Sequence, residues 1–276
     1  MSEHLINLRE EDVITRKSQK EKIPVQYYKS FTDDLVTTQD QEYKLPDDYV
    51  WEHTNPGYRF LSKLLYMIVW VVSFCYCRLC HVTFKNRRVL KAYQNQGYFL
   101  YGNHTQPVGD VLTPRHISPF KSMYTLASPA NLGLPILGPM LTMGGAIIVP
   151  DSWRKLREFD RIVKKRIDQK HGIMIYPEAH VWPYYTKIRP FPDSAFHYPV
   201  QQQAPSFCVT TTYQKRKFGS KPRRTVYIDG PFLPKADLNK KAQQEQLHQE
   251  IYNCMVKRSR SSTYEYIKYQ KKGEEA

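Results

Sequence analysis

Residues 100–112, LYGNHTQPVGDVL, place a histidine, His104, just after an apolar run and an aspartate, Asp110, six positions later. A histidine whose tautomer is fixed by a carboxylate can take a proton from an alcohol near neutral pH. Such a pair amounts to two thirds of a serine triad, with a substrate hydroxyl in place of the serine. No Gly-x-Ser-x-Gly segment occurs to supply a nucleophile from the protein. On spacing alone, the same residues also fit a turn in which Asp110 caps the segment that follows. A second carboxylate, Glu178, closes the run GIMIYPE and opens YPEAHVWPYYTKIRPF. There it can accept backbone N–H groups and hold a loop, or bind a substrate hydroxyl. A third group, CRLCH at 77–81, matches the c-type haem attachment pattern, and Cys75, Cys77, Cys80 and His81 are four potential zinc ligands. Haem attachment needs an oxidising compartment, and a Cys-x-Cys pair is uncommon in structural zinc sites. The reading adopted is cysteines at the end of a buried or lipid-facing helix, with no metal.

Both carboxylate-bearing stretches follow short apolar runs. GYFLYG, GGAIIVP, GIMIYPE, PSFCVTTTY and RRTVYIDG read as strands. Between them, residues 152–169 read as an amphipathic helix with Leu156, Phe159, Val163 and Ile167 three or four apart on its inner stripe. A last helix, about 237–257, would bury Leu247, Ile251 and Met255. Alternating strands and helices predict an α/β fold with a mixed, mostly parallel sheet flanked by helices. In such sheets, polar residues just beyond strand ends are the usual site material. GNHTQPVGD and YPEAH both stand there.

The 276 residues are 41% hydrophobic and carry a formal charge of +15. That composition supports a sizeable core and excludes global disorder. The charge implies an anionic partner: an acidic membrane surface, phosphorylated substrates, or nucleic acid. Five cysteines, three of them crowded at 75–80, are poor material for a disulfide framework and suit a reducing compartment. Residues 1–22 contain no apolar core, so no secretory signal is expected there. Residues 64–77, LLYMIVWVVSFCYC, run uncharged between Lys63 and Arg78. Fourteen residues are short of the roughly 20 a spanning helix needs, so a helix buried in the core or embedded in one leaflet is expected instead. The chain then divides into a polar extension (1–55), an apolar, membrane-associating helical region (56–90) and an α/β domain (91–276).

Taken together, GNHTQPVGD and YPEAH resemble the first and third motifs of the glycerolipid acyltransferase family, in that family's order and about 70 residues apart. The family includes the acyltransferases of glycerol 3-phosphate and 1-acylglycerol 3-phosphate. LPILGPMLTMGGAIIVPDSWRKLREFD is similar to its second block, and RPFPDSAFHYPVQQQAPSFCVT to the approach to its fourth. The resemblance spans about residues 60–258. It implies that His104 is a general base and Asp110 its orienter. The base would deprotonate a hydroxyl that attacks the thioester of acyl-CoA or acyl carrier protein. No covalent acyl-enzyme, metal or other cofactor is implied. Asn103, Glu178, His180, Arg115, Lys187 and Arg189 are the expected substrate-binding residues. Membrane lipid and the acyl carrier are the expected partners, at the cytoplasmic face of the cell membrane. No nucleic-acid partner is expected, and the sequence sets no oligomeric state.

Three departures from the family pattern stand out. Five residues, not four, separate His104 from Asp110, and Asp110 is the only acidic residue between Gly97 and Pro150. Pro107 fixes a bend, and Gly109 is expected to allow the extra residue to bulge through a positive φ. Ala179 and His180 occupy the Gly and Thr positions of the third motif. Finally, Pro150 and Val181 stand where phosphate-binding members carry arginines. Phosphate favours planar, always-charged, bidentate donors. Arg115, Lys121, Arg154, Lys187 or Arg189 would have to substitute, or the acceptor is a non-phosphate alcohol or an amine. A reading of another class, a basic protein that binds nucleic acid or an anionic surface, fits the charge and the 21 tyrosines but gives Glu178 no role.

Overall fold

The computed structural model describes residues 23–36, 43–118, 121–133 and 137–273. The expectation about residues 1–22 lies outside them. In chain order the elements are β1 (Val25–Tyr28), α1 (Pro56–Leu79), β2 (Val82–Lys85), β3 (Tyr98–Gly102), α2 (Gly109–Leu112), α3 (Pro114–Ile117) and β4 (Met123–Ala127). Then follow α4 (Leu137–Met143), β5 (Ala146–Ile148), α5 (Trp153–Asp168), β6 (Gly172–Ile175), α6 (His197–Gln202), β7 (Ser206–Gln214), β8 (Arg223–Phe232), α7 (Lys240–Ser259) and β9 (Lys268–Lys271).

Strands buried on both faces read as continuous apolar runs, because neither face meets water. β3 (YFLYG) and β6 (GIMI) are such strands, buried at every position. They lie side by side in a seven-stranded sheet of order β2-β8-β7-β3-β6-β4-β5. Its pairings are parallel except for the antiparallel β7–β8 hairpin. The α/β class with a mixed, mostly parallel sheet is as the sequence predicts.

Side chains alternate across the sheet. Phe99 and Tyr101 join a core with Phe159, Ile162, Val163 and Ile167 of α5 and Leu247, Ile251 and Met255 of α7. Tyr98 and Leu100 face the other way, against Leu90, Ile117 and Met123. Leu156, expected on the inner stripe of α5, is exposed; Ile162 takes the inward place. β2 and β4 escape the sequence reading, since VTFK and MYTLA are too short and mixed to show a period. β2 lies inside the 56–90 region and extends the main sheet through β8.

α1 has 24 residues, ten more than the uncharged run, because Pro56 starts it and the Asn55 side chain caps it by accepting from the Tyr58 N–H. At about 1.5 Å per residue it is ~36 Å long. By length and composition it is the one helix among the described residues apolar enough to cross a membrane. Its inward stripe, Tyr58, Ser62, Tyr66, Ser73 and Cys77, runs the helix's length at helical spacing. A separate two-stranded sheet pairs β1 with β9 in parallel, so part of the N-terminal extension is tied to the C-terminal segment.

Candidate active site

β3 ends at Gly102, and the chain turns through His104 into α2. Asp110 folds back beneath the histidine. The Gln106 N–H donates to Asp110 Oδ2 at 2.9 Å, and the Asp110 N–H returns to the Gln106 carbonyl at 3.0 Å. Asp110 Oδ2 thereby lies 2.8 Å from His104 Nδ1. The five-residue spacer closes the pair without a bulge. Gly109 is in helical conformation, so the expected positive φ is not used. Its small size is what matters, because a Cβ there would stand 2.1 Å from Gln106 Oε1 and 2.9 Å from the Tyr76 hydroxyl.

The His104 ring stacks on Tyr176, with centroids 4.5 Å apart and planes 17° apart. Tyr176 also donates its hydroxyl to the Asp110 carbonyl at 2.7 Å. Burial pushes the Tyr176 phenol well up, so it stays a neutral donor. One aromatic thus fixes the plane of the imidazole and the backbone of its partner. His104 keeps 19% of its side-chain surface exposed, whereas Asp110 keeps 5%. Nε2 makes no hydrogen bond among the described residues. The arrangement is a carboxylate-oriented imidazole with one nitrogen open to an incoming proton donor.

Glu178, 74 positions away, holds the other side of the loop. Its carboxylate accepts the His104 N–H at 3.0 Å and the Arg189 N–H at 3.0 Å. It also pairs with the Arg189 guanidinium at 3.0 Å, both side chains being fully buried. Arg189 further donates to the carbonyls of Phe31 and His180 and lies over the Trp182 ring. The loop bearing them is joined to the His104 strand end by Trp182 N–H to the His104 carbonyl and Tyr184 N–H to the Thr105 carbonyl, both 2.9 Å. Trp182 stacks on Tyr269 of β9 and meets Tyr28 of β1 at a tilt. The small terminal sheet therefore braces this loop.

Several of the expected substrate-binding residues are engaged within the protein itself. Glu178 and Arg189 pair with one another and with the backbone, and both side chains are fully buried, so neither faces the open side of the loop. The Asn103 amide is spent at both ends on Thr211 of β7, accepting its N–H at 2.8 Å and donating to its carbonyl at 3.0 Å. Arg115 is buried, donates to the carbonyls of Val111 and Gly144, and covers the Tyr66 ring. Lys121 likewise serves the carbonyls of Gln94, Gln96 and Lys170. In each case a buried donor must find an acceptor, and the nearest acceptors are main-chain. His180 faces Asp34 at 3.5 Å. Lys187 is exposed, and the structure does not bring it to the dyad. The cysteine group does not converge: Cys75 is exposed, Cys77 buried and Cys80 intermediate. Burial pushes the Cys77 thiol up to about 11.

Ala179 adopts φ +63° in the turn closed by its N–H to the Tyr176 carbonyl at 3.1 Å. A side chain in the left-handed region costs about 1–2 kcal/mol, which explains why glycine suits this motif position. Replacing Ala179 by Gly should therefore stabilise the protein by up to about 1 kcal/mol, part of the relief being offset by a freer unfolded chain. Chemical denaturation of the A179G variant checks this, and a lower midpoint would contradict it.

The comparisons with known proteins bear on the fold. The crystal structure of the 1-acyl-sn-glycerophosphate (LPA) acyltransferase PlsC from Thermotoga maritima superimposes with a TM-score of 0.52 at 10% identity, covering 74% of this chain and 83% of that one. The chain has a PlsC-like fold. No protein-family model and no curated protein sequence matches it.

The sequence reading missed the residues that pack around the dyad. Tyr76 of α1, Tyr176, Tyr213 of β7 and Arg224 of β8 all touch the loop or one another. Tyr213 shares its hydroxyl with Thr105 Oγ1 at 2.7 Å, and Arg224 donates to the Tyr76 hydroxyl at 2.6 Å. The Gln106 side chain then stands 3.5 Å from that hydroxyl. Tyr176 was visible as the aromatic of the Pro-Glu motif. The others carry no local signal, because strand pairing alone brings them near.

Proposed function

We propose that this chain is a membrane-associated O-acyltransferase. It moves a fatty acyl group from acyl-CoA or acyl carrier protein to a hydroxyl of 1-acylglycerol 3-phosphate or a related glycerolipid. The observation that carries the reading is the 2.8 Å contact of His104 Nδ1 with Asp110, which leaves Nε2 open. The PlsC-like fold and the order of the motifs support it.

In this mechanism Asp110 accepts a hydrogen bond from Nδ1–H, which keeps the proton on Nδ1 and the lone pair on Nε2. Nε2 takes the proton of the acceptor hydroxyl as its oxygen attacks the thioester carbonyl. The tetrahedral intermediate collapses, the C–S bond breaks, and the departing thiolate takes the proton from the imidazolium. Ester and free thiol are the products, and His104 is restored. A positioned base contributes roughly 10²- to 10⁴-fold. Holding the two substrates together must supply most of the rest.

α1 is the proposed membrane contact. Its inward stripe is committed to the domain from end to end: Tyr58 to Thr142 at 3.2 Å, Tyr66 to the Met123 N–H at 2.9 Å, and Tyr76 to Arg224. Its outward face exposes Phe60, Leu64, Met67, Ile68 and Val71. A helix docked along its whole length on an α/β domain cannot also cross a bilayer without carrying that domain into the lipid, so α1 lies along one leaflet. Val108 and Val111, beside the dyad, are exposed as well. Replacing Met67 and Val71 by Asp should lower partition onto anionic vesicles at least about ten-fold while the circular dichroism stays unchanged. Resistance of the wild-type protein to alkaline extraction would instead mark α1 as a span.

Purified protein incubated with labelled acyl-CoA and a panel of acceptors tests the function. The panel should include lysophosphatidic acid, a monoacylglycerol and a long-chain amine. Arg115 and Arg189 are turned inward, which favours a second reading with the same chemistry on a phosphate-free acceptor. Transfer to monoacylglycerol but not to lysophosphatidic acid would select it. Salt-dependent binding to DNA with no acyl transfer would select the anionic-surface reading instead.

A further inference from the structure

The two arginines expected from the family pattern are absent, yet three cations from another part of the chain gather beside the loop between His104 and Asp110. A cleft of about 410 Å³ opens between the end of α1, the His104–Asp110 loop and the β7–β8 hairpin. Gln106 and Gly109 line it on the loop side, Tyr76 on the helix side, and Arg216, Lys221 and Arg224 on the hairpin side. No carboxylate is among its lining residues.

Arg224 is 7% exposed and holds the Tyr76 hydroxyl at 2.6 Å. Arg216 reaches the Cys80 carbonyl at the end of α1 at 2.8 Å. The Nε of each finds no acceptor among the described residues, as is also the case for Arg115, Arg166 and Arg189. What sets Arg216 and Arg224 apart is that they line an open cleft together with Lys221 and no carboxylate, and an anion is the partner such a set of cations suits best. Burial pushes the Tyr76 hydroxyl up to about 12 against the opposing pull of the Arg224 guanidinium, so Tyr76 stays protonated and adds no competing charge. A chain of contacts ties the cleft to the chemistry: Arg224 to Tyr76, Tyr76 to Gln106, and the Gln106 N–H to Asp110.

The geometry points to an anion subsite for a phosphate group, built by Arg216, Lys221 and Arg224 in place of the missing motif arginines. Its role in catalysis rests on the acyl-transfer reading; its existence does not. The phosphate is that of the acyl acceptor or one of those on CoA, since both present the same chemistry at a transfer site.

The test is calorimetric titration of the full-length protein with glycerol 3-phosphate and, separately, with CoA, glycerol being the phosphate-free control. The hairpin variant R216Q/K221Q carries the test, because Lys221 is exposed and Arg216 lies outside the strands. R224K, which keeps the buried charge, accompanies it. The expected result is saturable binding of at least one probe, weakened about ten-fold or more in R216Q/K221Q at unchanged unfolding temperature. Loss confined to glycerol 3-phosphate assigns the subsite to the acceptor, and loss confined to CoA assigns it to the donor. Equal affinity of wild type and R216Q/K221Q for both probes, or no binding of either, overturns the proposal. Protein that binds as expected but transfers no acyl group keeps the subsite and loses the proposed function.

Discussion

His104→Ala is expected to remove acyl transfer, lowering kcat by about 10²- to 10⁴-fold or more while the fold persists. The loss falls on kcat because the general base acts only as the proton moves, and the substrates still bind by their acyl chain and head group. Asp110→Asn should approach the same loss. The amide replaces an oxygen, Oδ2, that accepts the Gln106 N–H at 2.9 Å and also meets Nδ1, so an NH2 turned to Nδ1 gives up the Gln106 bond. If it presents its NH2 to Nδ1, it forces the proton onto Nε2, where it blocks the attack. The Glu178 bond to the backbone of residue 104 is untouched by either change, and His104→Ala gives up only the ring's contacts with Tyr176 and Asp110, so both variants should remain folded. The check is a side-by-side rate and melting measurement. A His104→Ala protein with wild-type kcat would exclude the mechanism.

The second large effect is on stability. Arg189→Ala leaves the Glu178 carboxylate buried with its charge unpaired, and removes donors from the Phe31 and His180 carbonyls. Breaking one side of a buried pair costs about 3–5 kcal/mol. For a chain of this size that corresponds to a fall in Tm on the order of 10 °C. The result separates two roles for Arg189. A phosphate ligand would lose substrate affinity with little change in Tm. A strut beneath the His104 loop loses Tm first, and the fully buried Arg189–Glu178 pair is the observation that favours the strut.

This outcome also shows what the chain discloses before it is folded. The strands that build the sheet centre were legible because burial on both faces makes them apolar throughout. The dyad was legible because its two residues sit on one short loop, with no competing carboxylate between Gly97 and Pro150. The state of the cations was not legible. Arg115 and Arg189 look, in sequence, like arginines free for phosphate, and only packing reveals that main-chain carbonyls consume them. Conversely, Arg216 and Lys221 drew no notice in the sequence, and only the pairing of β8 with β2 and β7 brings Arg224 to Tyr76. Helix length misled in the same way. The uncharged run shows where α1 is most apolar, while Asn55 and Pro56 decide where it begins.

The central claim is that His104, held by Asp110, passes an acyl group directly from a thioester to a hydroxyl. It is tested most directly by following free thiol release and intact protein mass together, with labelled acyl-CoA, before and after adding the acyl acceptor. The account predicts thiol release only once the acceptor is present, label in the acceptor ester in equal amount, an unmodified protein mass throughout, and none of this with His104→Ala. A burst of thiol release without acceptor, matched by an acyl group on the protein, would contradict it.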